Sequence, residues 1–489
     1  MPAHNVGDKR FRQIVTSVSD PACRWLTGRI EQCYKPKSKP KTELVCGYGL
    51  PAGRELGVFD YGEFSFESKD EMLAKSREFW NPGKTDFWVE AGVPLVIDRR
   101  EDYYIYDMSG KRLLDVHLNG GTYNLGHRNP EVVSAVTAAM AHFDIGNHHF
   151  PSLARTALAE ALVTTAPEGI TKVVYGSGGG EAIDIALKTA RHATKRRKIV
   201  SIVKAYHGHT GLAVGTGDDR FSKLFLSDRP DEFPHVPFND LTAMEEALRG
   251  RDVAAVIMET IPATYGFPLP DPGYLESVKA LCERYGSLYI ADEVQTGLMR
   301  TGELWAITKH GIAPDILVTG KGISGGMYPI SAVLLTERTA GWLTEDGFGH
   351  ISTFGGAELG CIAGLKSLEI CNRPETRSMV HYISDRIGRG LRAIRADYPD
   401  WFVGIRQNGV VMGLEFAHPQ GAKFVMRHLY DNGVWAIFST LDPRVLQYKP
   451  GILLRPELCE ELLDRTEVAI GKAWAEVRRS GRPREQVPA

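Results

Sequence analysis

Short apolar runs, each closed by polar or glycine-rich residues, recur through the middle of the chain. Val173-Val-Tyr, Ile199 to Val203, Val253-Ala-Ala-Val-Ile-Met, Leu288-Tyr-Ile-Ala and Ile316-Leu-Val carry almost no polar position. Such runs read as short strands buried on both faces. Between them the spacing turns helical. In Glu181 to Arg191, apolar positions 182, 185, 186 and 190 fall on one face, and Leu275 to Glu283 has the same pattern. Strands alternating with helices predict an α/β fold built on a parallel sheet.

The flanks differ from this middle. Residues 1–90 read as an N-terminal extension and linker. They include the basic, proline-punctuated Lys35-Pro-Lys-Ser-Lys-Pro-Lys41, taken as a solvated linker, and an aromatic segment from Phe59 to Phe66 expected to pack on something. Regularity begins near residue 94, where Pro94-Leu-Val-Ile and Tyr103 to Asp107 predict strands, with a turn at Ser109-Gly110. We expect a large domain over 91–350, whose first part, to about 125, is a candidate to pack with a smaller C-terminal α+β domain over 351–489. That smaller domain is predicted from helical patterns at Ala357–Glu369, Thr376–Tyr398 and about Glu457–Arg478 and a strand at Val410–Phe416.

Composition narrows the function classes. The 489 residues are 43% hydrophobic and 24% charged, ordinary for a soluble globular protein. A formal net charge of -2 gives no basis for nucleic-acid binding or for attraction to a charged membrane surface. No apolar run is long enough to span a bilayer, and the N-terminus lacks a signal-peptide core. The 7 cysteines include no CxxC pair and read as reduced thiols, so a cytoplasmic location is expected.

Chemistry is expected where the strands end. In a parallel sheet the C-terminal ends of the strands share one edge, and open α/β sheets bind ligands there. Glu259 closes one strand, Asp292-Glu293 another, and Lys321 follows a third inside a glycine-rich loop. Lysines at such places shift pKa readily and suit Schiff-base chemistry. Gly176-Ser-Gly-Gly-Gly180 lies between a strand and a helix, so its backbone N–H groups can cradle an anion. A dinucleotide fingerprint fails, because Glu181 stands at the third glycine position, and the Walker lysine is absent. His127 and His148-His149 find no third ligand at convincing spacing, so no metal is expected. Anion cup, buried acid and lysine together suit pyridoxal phosphate, whose ring also needs an aromatic partner such as Tyr206.

Ordered motifs then point to a family. Ala291-Asp-Glu-Val-Gln-Thr-Gly297, Arg300-Thr-Gly302, Pro314-Asp315 and Gly320-Lys-Gly-Ile-Ser-Gly-Gly326 resemble class III pyridoxal-phosphate aminotransferases, over about residues 90–480. Tyr206-His-Gly208, Ser352-Thr-Phe-Gly-Gly356 and Leu125-Gly-His127 match in order. The resemblance implies fold type I, with a mainly parallel sheet, flanking helices and a smaller α+β domain. It also implies a homodimer with sites at the subunit interface, acting on a small-molecule amino donor and a keto acceptor. Carried over, Lys321 would bear the cofactor and move the substrate proton, and Asp292 would pair with the pyridinium nitrogen. Val294 and Tyr206 would cover the two ring faces, and Gln295 would reach the phenolic oxygen. Gly179 and Gly180, with Gly178 beside them, would hold the phosphate, Thr353 would reach the neighbouring subunit's phosphate, and Glu259 would line the site.

Two departures bear on substrate and cofactor. The family's cup usually carries hydroxyl residues where Gly178, Gly179 and Gly180 stand, which leaves Ser177 as a possible stand-in. Gln447 falls where many relatives place the arginine that grips a substrate carboxylate, with Arg444 as the nearby candidate replacement. Decarboxylation, racemisation or an amine shift would use the same lysine and acid, so these remain alternatives to transamination. A non-catalytic scaffold is the reading from another class.

Overall fold

The computed structural model describes residues 66–480. Lys35–Lys41, Phe59 to Ser65, Cys23, Cys33, Cys46 and the tail 481–489 lie outside the described residues. The chain packs as two units. In the first, helices Lys69–Phe79 and Pro82–Glu90 follow one another, the former capped by the Ser68 hydroxyl accepting from the Glu71 N–H.

The second unit holds three sheets. Its strands are β1 (Ile97–Glu101), β2 (Tyr104–Asp107), β3 (Arg112–Asp115), β4 (Ile170–Gly176), β5 (Lys198–Ile202), β6 (His235–Val236), β7 (Val253–Glu259), β8 (Leu288–Asp292), β9 (Ile316–Thr319), β10 (Ser331–Thr336), β11 (Phe402–Asn408), β12 (Val411–Phe416), β13 (Val434–Trp435), β14 (Ile437–Ser439) and β15 (Asp442–Tyr448). The central sheet has the order β4-β10-β9-β8-β7-β5-β6. Every residue of β7, β8 and β9 is buried, which explains their unbroken apolar sequences. Helix Gly179–Thr194 lays Ala182, Ile183, Ala186 and Ala190 into the same core as Ile257, Ile290 and Val318.

The central sheet is mainly parallel, as expected, with β10 running antiparallel to both β4 and β9. No helix separates β9 from β10, only the turn that carries Lys321, so the chain returns directly beside the strand it has left. The strand expected at Pro94–Ile97 begins at Ile97, because Pro94 has no N–H to offer a ladder.

Register fixes the site. Pairing of β7 with β8 sets Glu259 opposite Asp292, β8 with β9 sets Asp292 opposite Val318, and β10 sets Ser331 opposite Gly176. A slip of one residue would turn Asp292 to the other face of the sheet. The other two sheets are β11-β12-β15-β14 and β1-β2-β3-β13. In the second of these, β13 pairs parallel with β3, joining residues 434–435 to 114–115. Among the described residues no helix is long and apolar enough to cross a membrane, and Cys282, Cys361, Cys371 and Cys459 are buried free thiols.

Candidate active site

Asp292 sits at the end of β8, 4% exposed. One carboxylate oxygen accepts from the Val294 N–H at 3.0 Å. The other lies 2.7 Å from His207 Nδ1, and His207 Nε2 reaches the Ser201 hydroxyl at 3.3 Å. An ionised Asp292 can only accept, so Nδ1 carries the proton of this contact. Each Asp292 oxygen keeps a free lone pair. Ser201, His207 and Asp292 thus form a buried chain that fixes the acid from behind.

Glu259 is also buried. It accepts from the backbone N–H groups of Tyr206 at 3.2 Å and Ala263 at 3.1 Å, so it holds the turn that carries the Tyr206 ring. Burial pushes its carboxyl up to about 7; the Asp292 charge adds to the shift and His207 opposes it. Glu293, by contrast, is saturated by Thr260, Thr296, Ala306 and Ile307 and serves the fold.

Lys321 opens the 3₁₀ turn Lys321–Ser324 that follows β9. Gly325 and Gly326 take positive φ, at 57 and 71°, and Lys321 itself takes φ 44, while Gly320 is extended at φ -171. A left-handed lysine costs about 1–3 kcal/mol, and such strain persists where surrounding structure imposes it. Burial lowers its pKa, Asp292 and Glu259 oppose that, and Arg300 adds to it, so the reactive neutral amine forms more readily than in a free lysine.

The glycine cup is built as expected. Gly178 is the extended N-cap of helix Gly179–Thr194, so the N–H groups of Gly179 and Gly180 have no partner inside the helix. Ser177 is not the stand-in: its N–H and hydroxyl both donate to Glu181, at 2.7 and 2.6 Å. A Cβ at residue 180 would meet the Thr210 hydroxyl at 2.8 Å, so a side chain there would first have to displace Thr210. Val294 packs under the cup, with Cγ1 3.3 Å from a Cβ built on Gly179 and 3.4 Å from one on Gly320. Gln295 Nε2 is buried without a hydrogen-bond partner. A buried amide left unpaired is costly and marks a place where a ligand acceptor belongs.

A segment not foreseen as part of the site completes one wall. Leu118, Asn119, Gly120 and Gly121 all take positive φ, at 50, 49, 69 and 101°. A Cβ on Gly120 would lie 3.1 Å from Lys321 Cε, and one on Gly121 2.6 Å from Arg300 Nε. Gly120→Ala should therefore lower turnover about tenfold or more while leaving the protein folded, through misplacement of the lysine. Steady-state kinetics and thermal melting of that variant check this.

The remaining expected residues make no hydrogen bond to the lysine among the described residues. Thr353 is exposed on the 351–356 loop. Arg444 is 45% exposed and paired with Asp442 and Glu415, at 3.2 Å each. Gln447 is buried, donating to the Ala263 carbonyl at 3.1 Å and accepting from Lys449 at 2.5 Å. His127 is committed to Asp115 at 3.0 Å, and His148 and His149 stack on each other.

This constellation has known counterparts. Residues 88–470 match the family model for aminotransferase class-III. The chain belongs to the class III aminotransferases. An uncharacterized aminotransferase of Archaeoglobus fulgidus is 41% identical over 386 residues, covering 79% of this chain and 90% of that protein. The crystal structure of ornithine aminotransferase from Toxoplasma gondii superposes with a TM-score of 0.78 at 25% identity, over 86% of this chain and all of that one. A second structure of that protein, at TM-score 0.79, reports partial occupancy of PLP at its active site. A transaminase from the marine bacterium Virgibacillus shares the fold at TM-score 0.74, over 78% of this chain and 94% of that one. This class III enzyme thus transfers an amino group between a small-molecule donor and a keto acceptor on a fold-type-I scaffold.

Two residues beside Asp292 and Lys321 were missed in the sequence. His207 stood inside the recognised Tyr206-His-Gly208, but nothing local tied it to Asp292, which is 85 positions away. Nothing local tied Gly120 to Lys321 either.

Proposed function

We propose that this aminotransferase holds pyridoxal phosphate on Lys321 and prefers an amine or ω-amino compound as donor, with a keto acid or aldehyde as acceptor. The observation that carries the cofactor assignment is the unpaired Gln295 Nε2 beside a half-buried lysine, a buried acid and a side-chain-free anion cup. Bound pyridoxal phosphate supplies an aldehyde that captures amines and a ring that delocalises the electrons of a broken Cα–H bond. Gly179 and Gly180 would offer N–H groups to its phosphate, with Gly178 as the cap. Gln295 would donate to its phenolic oxygen, and Val294 and Tyr206 would flank its ring. Asp292, oriented by His207, would keep a proton on its pyridine nitrogen, and Glu259 holds the Tyr206 turn. Lys321 would take the proton from substrate Cα and return it during transfer.

The donor class rests on Gln447. Its amide is committed to Ala263 and Lys449, and Arg444 is committed to Asp442 and Glu415. Neither offers a free guanidinium fork to an α-carboxylate. Incubation with putrescine should convert the bound cofactor to its pyridoxamine form faster, per unit concentration, than incubation with glutamate. Equal or better conversion by glutamate sinks the donor assignment. Stoichiometric pyridoxamine phosphate also separates transamination from decarboxylation or racemisation.

The division at about residue 350 into a cofactor-binding body and a smaller C-terminal body belongs to the same reading, as does a homodimer in a cytoplasmic setting. Thr353 stands among exposed Phe348, Ile351 and Phe354, next to exposed Phe150 and Leu153, and an apolar cluster of this kind marks a protein interface. Phe354→Asp should give a monomer by light scattering with turnover reduced at least about tenfold, since Thr353 then loses the neighbouring phosphate. A fully active monomer contradicts this.

A further inference from the structure

Lys449 lies at the end of β15, 1% exposed, and its ammonium group contacts a single acceptor, the Gln447 side-chain oxygen at 2.5 Å. An ammonium has three donors and a neutral amine two, so in either form at least one is left without a protein acceptor among the described residues. The Phe267 ring lies 5.7 Å from Nζ and offers only its π face. Nearby, Arg300 Nη1 and Nη2 and His117 Nδ1 are buried with no hydrogen-bond partner. The acid closest to this group is spent: Asp115 accepts from the N–H groups of His117 and Leu118 and holds His127.

One short segment ties these bases to the reactive lysine. The Lys449 N–H donates to the Val116 carbonyl at 2.7 Å, His117 follows, Gly120 abuts Lys321 and Gly121 abuts Arg300. Alternation along β15 turns Gln447 and Lys449 the same way, toward Ala263 and Phe267, whose turn begins at Glu259. A buried set of basic groups with spare donors and no free acid is an anion site awaiting its anion. The phosphate cup lies at a different place, at the start of helix Gly179–Thr194.

We infer that Lys449 receives the carboxylate of the keto-acid substrate, in place of the arginine whose position Gln447 occupies. The inference rests on the aminotransferase reading and adds a binding group to it. Gln447 serves as the positioning residue, fixing the Lys449 side chain through its oxygen. A simple amine makes no use of this group, so only the carboxylate-bearing substrates depend on it.

Protonation gives the inference its own signature. Burial, Arg300 and Lys321 hold the Lys449 pKa well below that of a free lysine, with Asp115 opposing, so the charged form is disfavoured there relative to a free lysine. A bound carboxylate stabilises the ammonium and raises that pKa. Binding therefore takes up a proton, and affinity falls as pH rises above the depressed value.

The test uses holoenzyme and glutarate, an inert dicarboxylate, followed by calorimetry in two buffers of different ionisation enthalpy. Wild type should bind glutarate with proton uptake. Lys449→Met should bind it about 10- to 100-fold more weakly without uptake, and Lys449→Arg should restore most of the affinity. The Lys449→Met pyridoxamine form should react with 2-oxoglutarate with a KM raised by the same factor, while putrescine converts its pyridoxal form at the wild-type rate. Unchanged glutarate affinity in Lys449→Met overturns the inference. So does an equal loss with putrescine, which would make Lys449 a structural residue. Glutarate binding through Lys449 in an enzyme that transfers no amino group would instead leave the subsite standing and sink the aminotransferase reading.

Discussion

Lys321→Ala should abolish covalent retention of pyridoxal phosphate and lower turnover at least about 10³-fold, because it removes the cofactor's attachment point and the group that moves the Cα proton together. The structure makes the test a sharp one, since a second lysine, the buried Lys449, lies in this part of the molecule beside the half-buried Lys321. Lys449 is tied to Gln447, whereas Lys321 has no hydrogen bond to its amine among those described and lies against Gly120. Borohydride reduction of wild-type holoenzyme followed by peptide mapping should place the label on Lys321 and leave Lys449 unmodified. Label on Lys449 would reverse the roles proposed for the two amines. The lowered Lys321 pKa has a direction to check as well. Burial and Arg300 disfavour its charged form, so the neutral amine persists to lower pH than a free lysine allows, and single-turnover rates should hold as pH falls below the ordinary lysine range.

Most of this site could be read from sequence because its parts sit at strand ends, and strand ends announce themselves as apolar runs stopping at a polar residue. Glu259, Asp292 and Lys321 were found that way, and register alone then set Glu259 opposite Asp292. The reversed strand β10 escaped, because its Ser331–Thr336 run is as apolar as its parallel neighbours and direction leaves no mark on composition. Residues that act by contact across long separations also escaped. His207 reaches Asp292 only through the fold, and the left-handed run at Leu118–Gly121 includes two residues, Leu118 and Asn119, whose type does not demand that backbone. For Arg444 and Gln447 the sequence supplied position without orientation. The resemblance put both near the carboxylate site, but side-chain pairing sends Arg444 to Asp442 and Glu415 and Gln447 to Ala263 and Lys449.

The second large effect is expected at Asp292. Asp292→Asn should preserve fold and cofactor content while lowering turnover about 10²- to 10³-fold, the range for removing one preorganised electrostatic partner from a reaction centre. The amide matches the carboxylate in shape, so Val294 N–H at 3.0 Å can still find its oxygen. What changes is charge. A carboxylate favours a proton on the pyridine nitrogen and a neutral amide does not, so the ring loses its capacity to hold the electrons released from Cα. His207 separates this electronic role from a positional one. Its Nδ1 lies 2.7 Å from the acid, and Ser201 holds its far side. His207→Gln keeps a donor near Asp292 and leaves the acid charged, so it should cost far less, about tenfold, by loosening the orientation of the carboxylate. Absorbance of the bound cofactor reads the difference independently of turnover. The Asn variant should shift the protonation equilibrium of the ring across the accessible pH range, and the Gln variant should leave it near wild type. Near-normal turnover in Asp292→Asn, or a larger loss in His207→Gln than in Asp292→Asn, would remove Asp292 from the role assigned to it.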